Sequence, residues 1–327
     1  MNLREKRGRE IVNKLINKSD VVIENFRPGT MEKWGLGPDA FSTHKPELVY
    51  TRVSGYGQTG PYRRRPGFAS ACEGFAGFRY VNGFPGEPPV RPNLSIGDTL
   101  AAMNAVIGTL IALQGKASMG KGQVVDVSIY ESVFGMLEGM VPEYDGAGVI
   151  REPSGTTLTG IAPTNTYKCS DGKFIIIGGN GDSIFKRLCR VIGCDDLSSD
   201  PRFANNAGRV KFQTELDTVI ETWTKTKNSC DALLALEMAE IPCSPINTIR
   251  DLMADPHFQS REMVEEVQID GHKNLKIAAM VPKLTGTPGA TKHPGPSALG
   301  EHNHEIFTDL LKMTTEDISL LEDDNVI

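Results

Sequence analysis

The chain is poor in the features that would place it in several common classes. Its six cysteines (Cys72, Cys169, Cys189, Cys194, Cys230, Cys243) are scattered through 327 residues with no C-x-x-C pair. That spacing excludes a disulfide framework and a cysteine zinc site, and it suits reduced thiols in a cytosol-like compartment. There is no basic excess: 35 Lys and Arg stand against 41 Asp and Glu, a net charge of −6, so nucleic acid is not expected as a partner. No apolar run reaches the length of a bilayer span. The longest, 99–113, is short and interrupted by Asn104, so no membrane partner is expected. Met1–Arg7 leads straight into charged helical sequence with no secretory h-region, which points to a cytoplasmic location. The histidines show no metal-ligand spacing, and His302 reads as a surface residue near a helix start, so no metal site is expected.

What is present suits a globular α/β protein, with 39% hydrophobic and 23% charged residues. An amphipathic helix is predicted over 3–18, followed by the short apolar strand Val21-Val22-Ile23 and a turn, Glu24-Asn25-Phe26-Arg27-Pro28-Gly29. A second strand over 48–53 runs into Ser54-Gly55-Tyr56-Gly57-Gln58-Thr59-Gly60-Pro61, and a third is predicted over 124–127. Strands alternating with helices imply a parallel sheet, and such sheets bind ligands at their strands' carboxyl ends. Both turns therefore point towards one crevice. Arg63-Arg64-Arg65 reads as a solvated charge run unless that crevice holds phosphates, which guanidinium groups pair with bidentately.

The stretch that organises the chain is Asn93-Leu94-Ser95-Ile96-Gly97-Asp98 with the apolar run behind it. A helix that apolar belongs in a core. Asp98 is expected at its first exposed point, where unpaired N–H groups and the helix dipole favour an anion; a plain N-cap is the simplest reading. Asp126, alternating with Val125 and Val127, reads as an outward strand position, and a helix is predicted over 128–140. Composition changes near 141–146 and stays rich in Gly, Ser and Thr to about 163, which suggests a domain crossing. A hairpin with an Asp171-Gly172 turn follows. Gly178-Gly179-Asn180-Gly181-Asp182-Ser183 is a weak phosphate-loop signal, more simply a loop with a helix cap. Helices are predicted over 184–192, 214–225 and 231–239; the chain turns extended from about 264, and 278–300 is a long Pro/Gly tract.

Taken together these segments resemble the class III CoA-transferases, the CaiB/BaiF or formyl-CoA transferase-like family. The resemblance rests on Asp20–Gly29, Ser54–Pro61, Arg65–Phe68, Pro88–Arg91, Gly97-Asp98, Gly120–Val127 and Leu299–His302, in order along essentially the whole chain. It implies a Rossmann-like large domain with a parallel sheet and a smaller α+β domain, in the interlocked-dimer fold of that family. The expected boundaries are 1–152 for the CoA-binding part, 153–263 for the small domain, and 264–327 for the extended return and the end of the large domain. It implies that Asp98 is the nucleophile, and that Asn25, Phe26, Arg27 and Lys33 line the CoA site with Arg65, Pro66, Gly67 and Phe68. The partners it implies are an acyl-CoA, a small carboxylic acid and a second copy of the chain, with CoA as substrate and no permanently bound cofactor. The implied chemistry is attack of Asp98 on the thioester to give an acyl anhydride, then an aspartyl-CoA thioester, then reversal with the acceptor acid.

Members of the family normally begin with a further strand–helix–strand stretch, on the order of 60 residues or about two βαβ units. The present sequence starts within the helix that would follow, so the sheet is expected to lack its first strand. One alternative is therefore a non-catalytic truncated paralogue. Another is an α-methylacyl-CoA racemase-like isomerase, which pairs the same Asp with a His; the corresponding segment, Gly67-Phe68-Ala69-Ser70-Ala71-Cys72, has none.

Overall fold

A computed structural model describes residues 1–269, 274–296 and 298–327. The chain divides into two compact units, one of residues 1–80, 90–150 and 266–327 and one of residues 81–89 and 151–265.

In the first unit, β1 (Val21–Glu24), β2 (Val49–Ser54) and β3 (Val124–Ser128) form a parallel sheet in that order, with Val21 opposite Val49 and Tyr50 opposite Val124. The central strand β2 is almost wholly buried, as expected of a parallel strand covered on both faces. Helix α1 (Lys6–Lys18) turns Ile11 and Ile16 inward. Ile16 packs with Met31, Leu36, Phe41, Leu48 and Tyr50, whereas Ile11 joins Phe307, Ile318, Leu321 and Val326 from the C-terminal end of the chain. After α2 (Thr30–Lys33), α3 (Ala69–Phe75) and α4 (Phe78–Val81) comes α5, Ile96–Met119. Of the 278–300 tract, residue 297 lies outside the described residues.

Helix α5 corrects two expectations. It spans 24 residues, so by length and composition it could cross a membrane. Its stripe of Gly97, Ala101, Ala105, Thr109 and Ala112 is buried and packs against β2, β3 and α3, but the opposite side is exposed, so the core placement expected from its composition holds for one face only. Thr51 and Thr109 hydroxyls meet at 2.6 Å between β2 and α5. The helix also begins at Ile96, with Ser95 in the N-cap position, so Asp98 is its third residue and not its cap. The helix predicted over 128–140 is shorter too: α6 (Ile129–Phe134) stops early, and α7 (Met140–Ala147) begins separately beyond it. Ser128 caps α6 by accepting from the Glu131 N–H, and Gly135 follows its last turn.

In the second unit, β4 (Thr164–Lys168), β5 (Phe174–Gly178) and β6 (Cys243–Pro245) form an antiparallel sheet in that order. The β4–β5 hairpin turns at Asp171-Gly172, where Gly172 takes a φ of 79°, and Asp171 accepts from the Lys173 N–H. The helices Asp182–Val191, Gln213–Thr224 and Ser229–Met238 cover it through a core with Ile175, Ile177, Leu188 and Leu236 fully buried, and Phe185, Cys189, Phe203 and Leu216 form a second cluster. Leu275–Ala278 belongs to the first unit, where it forms a two-stranded sheet with Val264–Val267, separate from the parallel one.

Candidate functional site

A cavity of about 760 Å³ opens in the first unit where β1 and β2 end. Its wall begins with the β1 exit, residues 23–28, and continues with Val53, Ser54 and Gly55 from the β2 exit. The 63–68 segment and the first turns of α5 complete it. The location follows from topology, since the carboxyl ends of neighbouring parallel strands leave a crevice between their loops.

The β1 exit is held from beneath by a buried charge network. Arg52 on β2 donates from Nε to Glu24 Oε1 at 2.7 Å and from Nη1 and Nη2 to the Glu32 carboxylate at 2.6 and 3.2 Å. Glu24 Oε2 then accepts the Phe26 N–H at 2.7 Å, which sets the turn carrying Asn25, Phe26 and Arg27. The Arg52 guanidinium holds the Glu32 carboxyl below its usual range. The Phe26 ring meets Trp34 edge-on with centroids 5.1 Å apart.

All of Asn25, Phe26, Arg27, Arg65, Pro66, Gly67, Phe68 and Asp98 line this one cavity. Lys33 does not. It lines a separate concavity of about 630 Å³ with residues of α1 such as Lys6, Arg9 and Lys14. The reason is helical geometry: Glu32 is turned towards Arg52, and the next residue lies about 100° further round the helix. Of the three consecutive arginines, Arg63 and Arg65 line the cavity and Arg64 does not. Arg65 lies over the Tyr62 ring, 3.6 Å from its centroid. Asp126 is exposed, as the alternation predicts, and its carboxylate accepts the Gln58 N–H at 3.0 and 3.2 Å.

Asp98 is exposed at the cavity, and its carboxylate has no hydrogen-bond or ion-pair partner among the described residues. Gly97 beside it is buried; a Cβ there would lie 3.2 Å from both Ala69 and Ile129, so glycine allows the start of α5 to approach α3 closely. Cys72 donates its thiol to the Gly55 carbonyl at 3.3 Å. Burial, with the Asp98 and Glu73 charges adding to it, pushes that thiol up to about 11, so it stays protonated at neutral pH.

The sequence reading placed Ser54 in a turn at the crevice and Arg63 in a charge run without singling out either, and it missed Glu73. Arg63 was there to be separated from its neighbours only by knowing which way each points. Ser54 lines the cavity with a buried hydroxyl that has no partner among the described residues. Glu73 is fully buried on α3 and bonds to the first turn of α5. No motif marks Glu73; a Glu inside an otherwise apolar helix start was the one visible signal.

Comparison with known proteins agrees across most of the chain. The model of CoA-transferase family III matches residues 1–303. The chain is 43% identical over 327 residues to a succinyl-CoA–D-citramalate CoA-transferase of Chloroflexus aurantiacus, covering 100% of this chain and 81% of that protein. It is 36% identical over 328 residues to the alpha subunit of a succinyl-CoA–L-malate CoA-transferase of the same species, covering 100% and 76%. Among solved structures, a CaiB/BaiF family protein from Brucella suis superposes with a TM-score of 0.79 at 32% identity, covering 94% of this chain and 80% of that one.

Proposed function

We propose that this chain, which belongs to CoA-transferase family III, uses Asp98 as the nucleophile that moves CoA from a thioester to a free acid. The observation that carries the reading is the unpartnered Asp98 carboxylate in a cavity that also presents Arg27, Arg63 and Arg65. A carboxylate held without a cation or donor keeps its lone pairs available, and the guanidinium groups suit the phosphates of CoA.

Asp98 Oδ attacks the thioester carbonyl and the C–S bond breaks, giving a mixed anhydride and CoA thiolate. The thiolate attacks the Asp98 carbonyl of that anhydride, releasing the donor acid as its carboxylate and leaving an aspartyl-CoA thioester. The acceptor carboxylate then attacks this thioester and the two steps run in reverse. No proton is transferred, so no general base is needed beyond the reacting carboxylates. Asn25, Phe26, Arg27 and residues 65–68 bind CoA in this scheme. Racemisation at an α-carbon is disfavoured, because it needs a second base and the neighbouring Cys72 is a protonated thiol.

The relatives' names make succinyl-CoA the donor to try first, with a four- or five-carbon dicarboxylic acid as acceptor. Asp98→Asn is expected to abolish exchange while leaving folding and CoA affinity nearly unchanged, because an amide cannot form the anhydride. Hydroxylamine added with succinyl-CoA should trap a hydroxamate at Asp98, detectable by mass spectrometry. Exchange at the wild-type rate in Asp98→Asn would end the proposal.

A cytoplasmic homodimer completes the reading. Met103, Val106, Ile107, Leu110 and Ile111 leave 51–64% of their surface exposed along one side of α5, an apolar stripe that a second copy would cover. In the interlocked form, the 278–300 tract is the segment that passes around the partner. Sedimentation at micromolar concentration should give twice the chain mass, and a compact monomer would contradict it.

A further inference from the structure

Glu73 is an ionisable group with no part in the chemistry above, yet its side chain is completely buried one helix away from the nucleophile. Its Oε2 is held by Arg79, at 2.7 Å from both Nε and Nη2. Its Oε1 accepts the N–H of Gly97 at 3.1 Å, and Gly97 immediately precedes Asp98 in the first turn of α5. That placement explains something unusual about Asp98.

An Asp at the third position of a helix ordinarily folds back onto the N-cap N–H, which has no intrahelical partner. Two helices of this chain do so. Asp251 accepts the Thr248 N–H at 2.8 Å, and Asp317 accepts the Thr314 N–H at 3.2 Å, each in a full capping box. Asp98 holds the same position behind Ser95 and makes no such bond, and Ser95 caps nothing. The difference between the three helix starts is that only α5 receives a carboxylate from another element on its first-turn amides.

We infer that Glu73 is a positioning residue: it occupies the Gly97 N–H and sets a negative charge at the mouth of α5, so Asp98 is turned out of its cap and its lone pairs stay open for attack. Arg79 fixes the Glu73 carboxylate in place and neutralises it on the side away from the helix. The inference rests on Asp98 being the nucleophile.

Three variants separate this role from a merely structural one. Glu73→Leu removes the charge and the acceptor at similar volume, Glu73→Gln keeps an acceptor without the charge, and Arg79→Gln breaks the ion pair but leaves the Gly97 contact. In a crystal structure of Glu73→Leu, the Asp98 carboxylate should lie within hydrogen-bond distance of the Ser95 N–H. With succinyl-CoA and D-citramalate as the probe pair, kcat should fall roughly ten- to a hundredfold in Glu73→Leu. The fall in Glu73→Gln should be smaller, about three- to tenfold, and Arg79→Gln, which leaves a buried carboxylate without its cation, should fall in the same range, with KM for succinyl-CoA nearly constant throughout.

A folded Glu73→Leu in which Asp98 stays unpartnered, or whose only change is a lower Tm, overturns the inference. If Glu73→Leu does not fold, an unchanged kcat in Glu73→Gln overturns it equally. Asp98→Asn run alongside tells the two failures apart. Exchange surviving in Asp98→Asn removes the nucleophile and this inference together, whereas exchange lost there but intact in the Glu73 variants removes the positioning role alone.

Discussion

The two units bury their apolar residues in different ways. The antiparallel unit packs large side chains, Ile175, Ile177, Leu188, Ile220 and Leu236 among them, into one large cluster with Tyr167 and Ile241, beside a second of Phe185, Cys189, Phe203 and Leu216. The parallel unit divides its core into three smaller clusters, and the one behind the cavity is built from Cys72, Ala101, Ala105, Val127 and Ile129. Small residues on α5 leave the sheet incompletely filled, and the volume they do not occupy becomes the cavity. A closed core and a binding site compete for the same space, and here they fall to different units.

Each unit also buries one guanidinium, and these test the comparison hardest. Arg52→Met should cost about 3–5 kcal/mol, because it strands Glu24, whose side chain is 3% exposed, without its cation. It should weaken CoA binding as well, since Glu24 sets the Phe26 turn. In the other unit Arg209 donates to the Ala162, Phe203 and Asn180 carbonyls and pairs with Asp182. Asp182 is 63% exposed, so Arg209→Met leaves no buried charge, only unpaired carbonyls, and should cost less, about 2–3 kcal/mol. Urea unfolding followed with isothermal CoA titration reads both effects. Equal losses of stability in the two variants would contradict the difference in how the units bury charge.

The smallest expected effect falls on both units alike. Burial pushes the Cys72 and Cys189 thiols from about 9 up to about 11. Burial raises the Tyr50 and Tyr167 hydroxyls in the same direction. For each group the neutral form is favoured by folding, so its contribution is complete below the unfolded value and is lost as pH rises through the folded one. Stability should therefore fall by about 1–2 kcal/mol per thiol between pH 9 and 11. Cys72→Ala and Cys189→Ala should each flatten part of that slope, and a slope unchanged in both would assign it elsewhere.

Much of this molecule was legible before any coordinates. Period and composition located β1, β2 and β3 within a residue or so, because short apolar runs ending in Gly-rich turns have few other meanings. The Asp-Gly hairpin was equally plain, since few residue pairs suit that turn. The motifs that resemble the family named most of the cavity lining. Boundaries of α5 and α6 were less legible, because Ser95 and Gly135 mark their ends through backbone geometry that neighbouring residues do not announce.

What the sequence determined by itself was therefore the alternation of strands and helices, the convergence of two turns, and the candidacy of Asp98, all properties of order along the chain. What only the tertiary structure decided was the company each residue keeps. Lys33 and Glu32 are adjacent in sequence and part ways by a third of a helical turn, one into a separate concavity and the other onto Arg52. Glu73 and Gly97 are 24 residues apart and share a hydrogen bond. Direction around a helix and contact between distant segments arise from packing in three dimensions, and no spacing in one dimension encodes them.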